Sequence, residues 1–208
     1  MLVLFTLKIA GGNPTALVYN CISRKKTINK LLKEVEQVGF ISGNRLKMSG
    51  GELCINATLA FASILGNCGK LYTSGIKEVV KYENKNNITS IKFSLKYKKD
   101  RNIVLFEGIG FVCAKKLKIN KELLSNYCDK YKLPAFGIVI YKKNRITPYV
   151  YVKSVGSFFK ETACGSGSVA YSIYSGYKKI IQPTKEMIKV NIKKDKVLVS
   201  AEVKKWKL

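Results

Sequence analysis

The stretch Met48-Ser-Gly-Gly-Glu-Leu-Cys-Ile-Asn-Ala-Thr58 recurs in altered form as Glu161-Thr-Ala-Cys-Gly-Ser-Gly-Ser168. In each copy one cysteine follows an acidic residue and precedes an apolar run with helical periodicity. The two cysteines, Cys54 and Cys164, are 110 residues apart, which is the length of one small domain. The repeat predicts two similar halves that contribute one thiol each.

The composition is that of a globular protein large enough to build a core. Its 208 residues are 47% hydrophobic and 25% charged. No apolar run approaches the roughly 18 residues of a membrane-spanning helix, and the first residues lack the basic start of a signal peptide. The six cysteines include no CxxC pair and no histidine accompanies them. We therefore expect no metal site, no membrane insertion and a reducing, cytoplasmic location.

The charge is strongly basic, with 38 Lys and Arg against 13 Asp and Glu and a net charge of +25. Such an excess can attract nucleic acid or an anionic membrane. The lysines, however, are scattered in pairs along the whole chain, without a basic tail or a recognisable nucleic-acid module. We interpret them as a lysine-rich surface and do not favour nucleic acid as the partner.

The order of predicted elements indicates an α+β protein in two halves, residues 1–100 and 101–208. Helices are predicted at 28–38, directly after Cys54, at 121–132, and at 169–174 within the second motif. The run after Cys54 is apolar nearly all round, which is typical of a buried helix. Each half is therefore expected to wrap a curved, mixed or antiparallel sheet around one central helix. Strands are predicted at 2–9, 16–19, around 40, 79–80, 91–97, 103–106, 110–114, 136–141, 149–152, 187–192 and 197–203.

A cysteine at the start of a helix has a chemical use. Unpaired N–H groups and a partial positive charge at this point can bind a carboxylate and can lower a thiol pKa from about 8.5 to roughly 3.5–7.5. Two such starts that face each other, with one thiolate and one thiol, can remove a proton from one face of a carbon and return one to the other. Taken alone, a cysteine is more often a core residue. The remaining cysteines lack these surroundings and are interpreted as core or incidental: Cys21, Cys68, Cys113 and Cys128.

Three segments resemble the signatures of the diaminopimelate epimerase-like superfamily of pyridoxal-independent racemases. They are Gly11-Gly-Asn-Pro-Thr-Ala-Leu17 and the two cysteine motifs, in the family's order. Within the superfamily, Glu36-Gln-Val-Gly-Phe-Ile41 and Gln182-Pro183 are most similar to histidine racemases of opine-metallophore biosynthesis. The resemblance implies two pseudo-symmetric lobes that close over a small amino-acid substrate, and it implies catalysis without a cofactor.

The resemblance also implies roles for individual residues. Cys54 and Cys164 would be the catalytic acid and base, and Asn13 would reach the α-amino group. Glu36 matches the position that reads the substrate side chain, where a carboxylate favours a hydrogen-bond donor or a positive charge; without the resemblance it would be a solvated helix acid. The α-carboxylate would bind four backbone N–H groups: those of Ile55, Asn56, Gly165 and Ser166.

The chain departs from the family at several points. Ile55 replaces the family's glycine, and Val155 and Gly156 occupy the place of the Glu-Arg pair that precedes the second cysteine in diaminopimelate epimerases. The Gly-Asn-Pro-His segment of those enzymes is replaced by residues 108–111. Groups that would hold the distal end of diaminopimelate are therefore missing. The chain is also short for the superfamily, and a homodimer is one way to compensate for a more open cleft.

Three hypotheses follow. The first is a racemase for histidine or another basic amino acid. The second is an epimerase of the same superfamily that acts on diaminopimelate or a hydroxyproline. The third is a non-catalytic basic protein that binds nucleic acid or another anion.

Overall fold

The computed structural model describes residues 3–19 and 24–207. Cys21 lies outside these residues. The helices are α1 (Arg24–Leu31), α2 (Ile55–Ser63), α3 (Lys121–Tyr131) and α4 (Gly165–Ser175). The strands are β1 (Val3–Ile9), β2 (Gly12–Tyr19), β3 (Gln37–Ser42), β4 (Arg45–Met48), β5 (Cys68–Thr73), β6 (Val80–Lys85), β7 (Ile88–Ser94), β8 (Tyr97–Asp100), β9 (Ile103–Phe106), β10 (Gly110–Ala114), β11 (Ala135–Lys142), β12 (Arg145–Val152), β13 (Ser157–Lys160), β14 (Lys179–Ile181), β15 (Met187–Lys193) and β16 (Lys196–Lys205).

The first seven strands form a barrel around α2. Each pairs with the next in chain order, and β16 closes the ring because it pairs with both β7 and β1. Helix α2 packs against β1, β2, β3, β4, β6, β7 and β16. Its residues 55–62 are all buried, which explains why the sequence of this helix is apolar nearly all round.

The second part of the sheet is open and packs on α4. From β16 it continues through β15, β14, β12, β11, β10 and β9 to β8, while β13 pairs with β12. Helix α4 packs against β9, β10, β11 and β15, and α3 covers β11 and β12. The α+β class is therefore confirmed. The division into two pseudo-symmetric lobes at residue 100 stays a prediction.

The helix predicted at 28–38 is wrong in its second half. The helix α1 ends at Leu31, and Val38 belongs to strand β3, which runs parallel to β2. Leu31, Val35 and Val38 are buried in one cluster, so their helical spacing reflects a turn followed by a strand that face the same core. The spacing of these apolar residues follows from their burial in one core, although they do not belong to one helix.

Other boundaries also differ from the prediction. Strands β4 and β5 were missed because they are short and partly polar, and the first three residues of β5 are exposed. The strand predicted at 91–97 is two strands, β7 and β8. Helix α4 begins at Gly165, four residues before its predicted start. Its first turn was not predicted because glycine and serine are poor helix formers.

Candidate active site

Each cysteine of the repeated motif caps a helix, as predicted. Cys54 is the N-cap of α2, and its Sγ accepts a hydrogen bond from the N–H of Ala57 at 3.2 Å. Cys164 is the N-cap of α4, and its Sγ accepts one from the N–H of Gly167, also at 3.2 Å. The two motifs therefore have matching local geometry as well as similar sequence.

The two helix starts lie against each other. An added Cβ at Gly165 would stand 2.6 Å from Cγ2 of Ile55 and 2.9 Å from Oδ1 of Asn56. The side chain of Ile55 therefore fills the space that a side chain at position 165 would need. The tertiary structure brings together Cys54, Cys164 and the residues that follow each of them.

Ser166, on α4, is hydrogen-bonded to the start of α2. Its Oγ accepts a hydrogen bond from the N–H of Ile55 at 3.2 Å, and its hydroxyl donates to the carbonyl of Leu53 at 3.3 Å. The N–H of Ile55, which the resemblance assigns to the substrate carboxylate, therefore already has a protein acceptor in this conformation.

Asn56, on α2, makes the corresponding contacts with the start of α4. Its Oδ1 accepts from the N–H of Gly165 at 2.8 Å, and its Nδ2 donates to the carbonyl of Ala163 at 2.9 Å. The N–H of Gly165 is thus also in use. Each side chain two positions after a cysteine caps the opposite helix.

A cavity of about 30 Å³ lies at this junction. Its lining includes both thiols and three carboxylate side chains, and among the residues that the structure describes no lysine or arginine belongs to it. In a chain with a net charge of +25, the cavity is thus a local concentration of acidic groups. The titratable lining residues are Cys54, Cys164, Glu36, Glu52 and Glu161.

A chain of polar contacts joins the two thiols. The thiol of Cys54 donates to Oε1 of Gln37 at 2.8 Å, and Nε2 of Gln37 donates to Oε1 of Glu161 at 2.9 Å. The carboxyl group of Glu161 in turn interacts with the thiol of Cys164. Within the described residues, Oε2 of Glu161 and Oε2 of Glu52 are buried without a hydrogen-bond partner, so both carboxyl groups have unused capacity next to the cavity.

The pKa of each thiol is raised well above its usual value, and the predicted lowering is wrong for this conformation. Complete burial is the largest cause in both cases, and the charge of Glu161 adds to it. The N–H groups of Ala57 and Gly167 act in the predicted direction, but one N–H contact does not offset the loss of water around a thiolate. Both thiols therefore carry their protons at neutral pH.

Burial also raises the pKa of the carboxyl groups. For Glu161, desolvation and then the charge of Glu36 raise the pKa to about 8. For Glu52, desolvation raises the pKa to about 7, against hydrogen bonds from the backbone. These two groups thus change charge close to neutral pH, where small changes in their surroundings alter their protonation.

Glu36 and Asn13 contact each other. Nδ2 of Asn13 donates to the Glu36 carboxylate at 3.0 Å, and Oγ1 of Thr162 donates to it at 2.6 Å. Burial raises the pKa of Glu36, while the bonds from Thr162 and Asn13 lower it. Glu36 is half-buried, lines the cavity and lies outside α1, so it is not the solvated helix acid of the simpler interpretation.

Sequence reasoning missed two glutamines of the site. Gln37 bonds to Cys54 as described above, and Gln182 accepts from the N–H of Cys164 at 2.9 Å while donating to Oγ of Ser168 at 2.9 Å. Both lay within segments that carry the family resemblance, but nothing in their local sequence indicated a role. The acidic residue before each cysteine was noticed as part of the repeat, without an assigned function.

Comparison with known proteins gives a consistent result. No protein-family model matches the chain. The histidine racemase of Fusobacterium nucleatum subsp. nucleatum strain ATCC 25586 is 33% identical over an alignment that covers 79% of this chain and 77% of that enzyme. The histidine racemase of strain ATCC 23726 is 32% identical, with 83% of each chain covered.

Solved structures show the same fold in more distant proteins. A putative phenazine biosynthesis PhzC/PhzF protein from Clostridium difficile strain 630 has a TM-score of 0.60 at 13% identity and covers 100% of this chain and 98% of its own. A PhzF family protein from Enterococcus faecalis has a TM-score of 0.59 at 12% identity, with 98% and 96% covered. These two likenesses concern the fold alone. The identity to the Fusobacterium enzymes over more than three quarters of both chains shows that this protein is an isomerase of the histidine racemase family.

Proposed function

We propose that this protein is a cofactor-independent amino-acid racemase in which Cys54 and Cys164 act as a pair of acid and base on one Cα. The observation that carries the proposal is the pair of N-cap thiols that line a single cavity at two abutting helix starts. A planar carbanion presented to both thiols can be protonated from either face, which is the requirement for inversion without a cofactor.

The reaction needs one thiolate and one thiol. The thiolate removes the Cα proton, and the electron pair of the broken C–H bond moves into the carboxylate as an enediolate. The opposite thiol then donates its proton to the other face of Cα, so its sulfur becomes the thiolate and the configuration is inverted. The proton count of the pair is unchanged, and the reverse reaction uses the two groups in exchanged roles.

The helix starts are suited to stabilise the enediolate. N–H groups and the positive end of a helix dipole act on negative charge that develops at this place. We assign the substrate carboxylate to the backbone N–H groups of Asn56 and Ser166, whereas those of Ile55 and Gly165 stay bonded to the side chains of the opposite helix. Asn13, held beside Glu36, is assigned to the α-amino end.

The acidic lining favours a basic substrate. Glu36, Glu52 and Glu161 face one cavity, and no lysine or arginine of residues 4–19 and 25–207 lines it, so an ammonium or imidazolium group would relieve the cost of their burial. Histidine, or another amino acid with a basic side chain, fits this lining. Diaminopimelate carries a second carboxylate for which the lining has no cationic partner, so it is the weaker candidate. No feature of the site favours nucleic acid.

Substrate entry requires the cavity to widen. With a volume of about 30 Å³ it has room for water molecules, whereas an amino acid needs a larger space. We propose that residues 1–100 and 101–208 form two lobes that separate and close around the substrate, with β16 as the strand that they share. We place the enzyme in the cytoplasm, since its five described cysteines are free thiols, and the homodimer stays a prediction.

Proton exchange in D₂O tests the proposal. Reduced protein is incubated with the L and D forms of histidine, lysine, arginine and diaminopimelate, and the Cα proton is followed by NMR together with chiral separation. A two-base mechanism predicts that the first product carries deuterium at Cα while the remaining substrate still carries protium. Exchange with only diaminopimelate would overturn the substrate assignment, and no exchange with any amino acid would overturn the proposed function.

A further inference from the structure

We propose that Asn56 and Ser166 are crossed positioning residues, each of which holds in place the catalytic thiol of the opposite helix. Ser166 stands two positions after Cys164 yet positions Cys54, and Asn56 stands two positions after Cys54 yet positions Cys164. The inference rests on the proposed function for its meaning in catalysis. The geometry that carries it is independent of any substrate.

Ser166 binds the chain on both sides of Cys54. It accepts from the N–H of Ile55 at 3.2 Å, one residue after the cysteine, and donates to the carbonyl of Leu53 at 3.3 Å, one residue before it. The two peptide groups that set the backbone angles of Cys54 are thereby held from the other helix. Since the direction of a side chain follows its backbone, these bonds fix where Sγ of Cys54 points.

Asn56 does the same for Cys164. It accepts from the N–H of Gly165 at 2.8 Å, one residue after the cysteine, and donates to the carbonyl of Ala163 at 2.9 Å, one residue before it. The backbone N–H and carbonyl groups that Asn56 binds stand at the same positions relative to Cys164 as those that Ser166 binds around Cys54. Such a reciprocal arrangement couples the two thiols, because neither helix start keeps its geometry unless the other lies against it.

Bonds within each helix do not supply this restraint. The carbonyls of Cys54 and Cys164 accept from the hydroxyl groups of Thr58 and Ser168 at 2.7 and 2.6 Å, which lie one turn into their own helices. These contacts hold the carbonyl group of each cysteine against the first turn of its own helix. The crossed bonds hold the extended segment that enters each helix, with Gln182 as a further acceptor for the N–H of Cys164, so their loss should loosen the opposite thiol.

The test is the alkylation rate of each cysteine in the reduced protein without substrate. Iodoacetamide is the probe, and mass spectrometry of peptides reports Cys54 and Cys164 separately. Because a lost buried hydrogen bond lowers the cost of local opening, Ser166→Ala should raise the rate at Cys54 about tenfold while the rate at Cys164 changes little. Asn56→Ala should raise the rate at Cys164 by a similar factor and leave Cys54 nearly unchanged.

Matched controls separate this effect from general loosening. Ser172→Ala removes a buried serine further along α4, and Asn84→Ala removes a bond to the carbonyl of Ala62 at the other end of α2. Both should leave the ratio of the two alkylation rates as it is in the parent protein. Ser166→Thr, which keeps the hydroxyl, should restore the parent rate at Cys54.

Three outcomes would overturn the inference. One is equal acceleration at both cysteines, and another is acceleration at the cysteine nearest in sequence to the substitution. The third is that neither alanine variant folds while Ser166→Thr does, because the crossed bonds would then hold the fold and not the individual thiols. Alkylation needs no turnover, so this result stands apart from the outcome of the D₂O experiment.

Discussion

At Cys54 and Cys164 two physical effects oppose each other. The start of a helix favours the thiolate, whereas burial favours the neutral thiol. Burial dominates here, and the carboxyl groups nearby add to it. A thiolate therefore has to be produced when the substrate binds, and a positive charge placed among the three glutamates is suited to that purpose, since it lowers the pKa of every acidic group around it.

Replacing either motif cysteine should abolish racemisation. Cys54→Ser and Cys164→Ser are each expected to lower kcat by about 10²–10⁴-fold, because a serine hydroxyl is a much weaker acid than a thiol and cannot supply the second proton transfer. Chiral chromatography of the product measures the loss. Cys68→Ser, at an exposed cysteine, is the control that should stay active. Near-normal turnover in either motif variant would contradict the two-base mechanism.

Glu161 should make the protein less stable as the pH rises. The folded protein keeps the Glu161 proton up to pH about 8, whereas an exposed carboxyl releases it near the ordinary value of 4.5. Between these values the folded state binds more protons, so the free energy of unfolding falls by up to about 1.4 kcal/mol per pH unit. Glu161→Gln removes this contribution, and its stability relative to the parent should grow from pH 5 towards pH 8.

Urea unfolding at several pH values within that range measures the effect. Ser172→Ala, which changes no ionisable group, should show a difference from the parent protein that does not change with pH. A constant difference for Glu161→Gln as well would mean that the Glu161 carboxyl is ionised across the range in the folded protein.

At the scale of elements, the contact between the starts of α2 and α4 leaves no room for a larger residue. Gly165→Ala would place a methyl group 2.6 Å from Cγ2 of Ile55, and such overpacking typically costs about 1–3 kcal/mol. Ile55→Ala removes the nearest opposing atom, while Oδ1 of Asn56 stays 2.9 Å and Cβ of residue 55 stays 3.0 Å from the added methyl group. The double variant is therefore expected to recover part of the stability that Gly165→Ala loses.

A double-mutant cycle with urea denaturation quantifies this compensation. The coupling energy between the two positions should lie at about 0.5–3 kcal/mol, the range found for residues in contact. Strict additivity of the two substitutions would show that the helix starts are farther apart in solution than in this structure.

At the scale of the whole molecule, β16 joins the closed barrel to the open part of the sheet. It pairs with β1 and β7 on the barrel side and with β15. We expect the protein to unfold in one cooperative transition, because loss of this strand breaks both parts together. Val199→Asp should destabilise strongly, since the side chain at this position of β16 is fully buried and an unpaired charge there is costly.

Two probes test the single transition. The only tryptophan, Trp206, follows β16 directly, so its fluorescence reports the barrel end, while far-UV circular dichroism reports the whole sheet. Their denaturation midpoints should coincide in the parent protein and in Val199→Asp. Leu198→Asp, one residue away on the exposed face, should have a small effect. Separate midpoints would show that the two parts unfold independently.

Local sequence patterns were enough to predict three features: the class of the fold, the α2 helix after Cys54 and the position of both thiols at helix starts. These features depend on local patterns: an apolar run of helical period, and a repeated motif whose residues act within a few positions of each other. The family resemblance named Asn56 and Ser166 for their backbone N–H groups, a role that stays a prediction, and did not indicate the contacts of their side chains.

Only the tertiary structure revealed the crossed caps, the role of Gln37, the unpartnered carboxyl oxygens and the rise in the thiol pKa. Each of these depends on atoms that lie more than 100 residues apart or on the exclusion of water from a closed junction. The same limit explains the helix predicted at 28–38, because a turn and a strand that face one core reproduced a helical spacing. Local sequence sets which elements form, whereas burial and contact between distant residues set the chemistry of the groups that those elements carry.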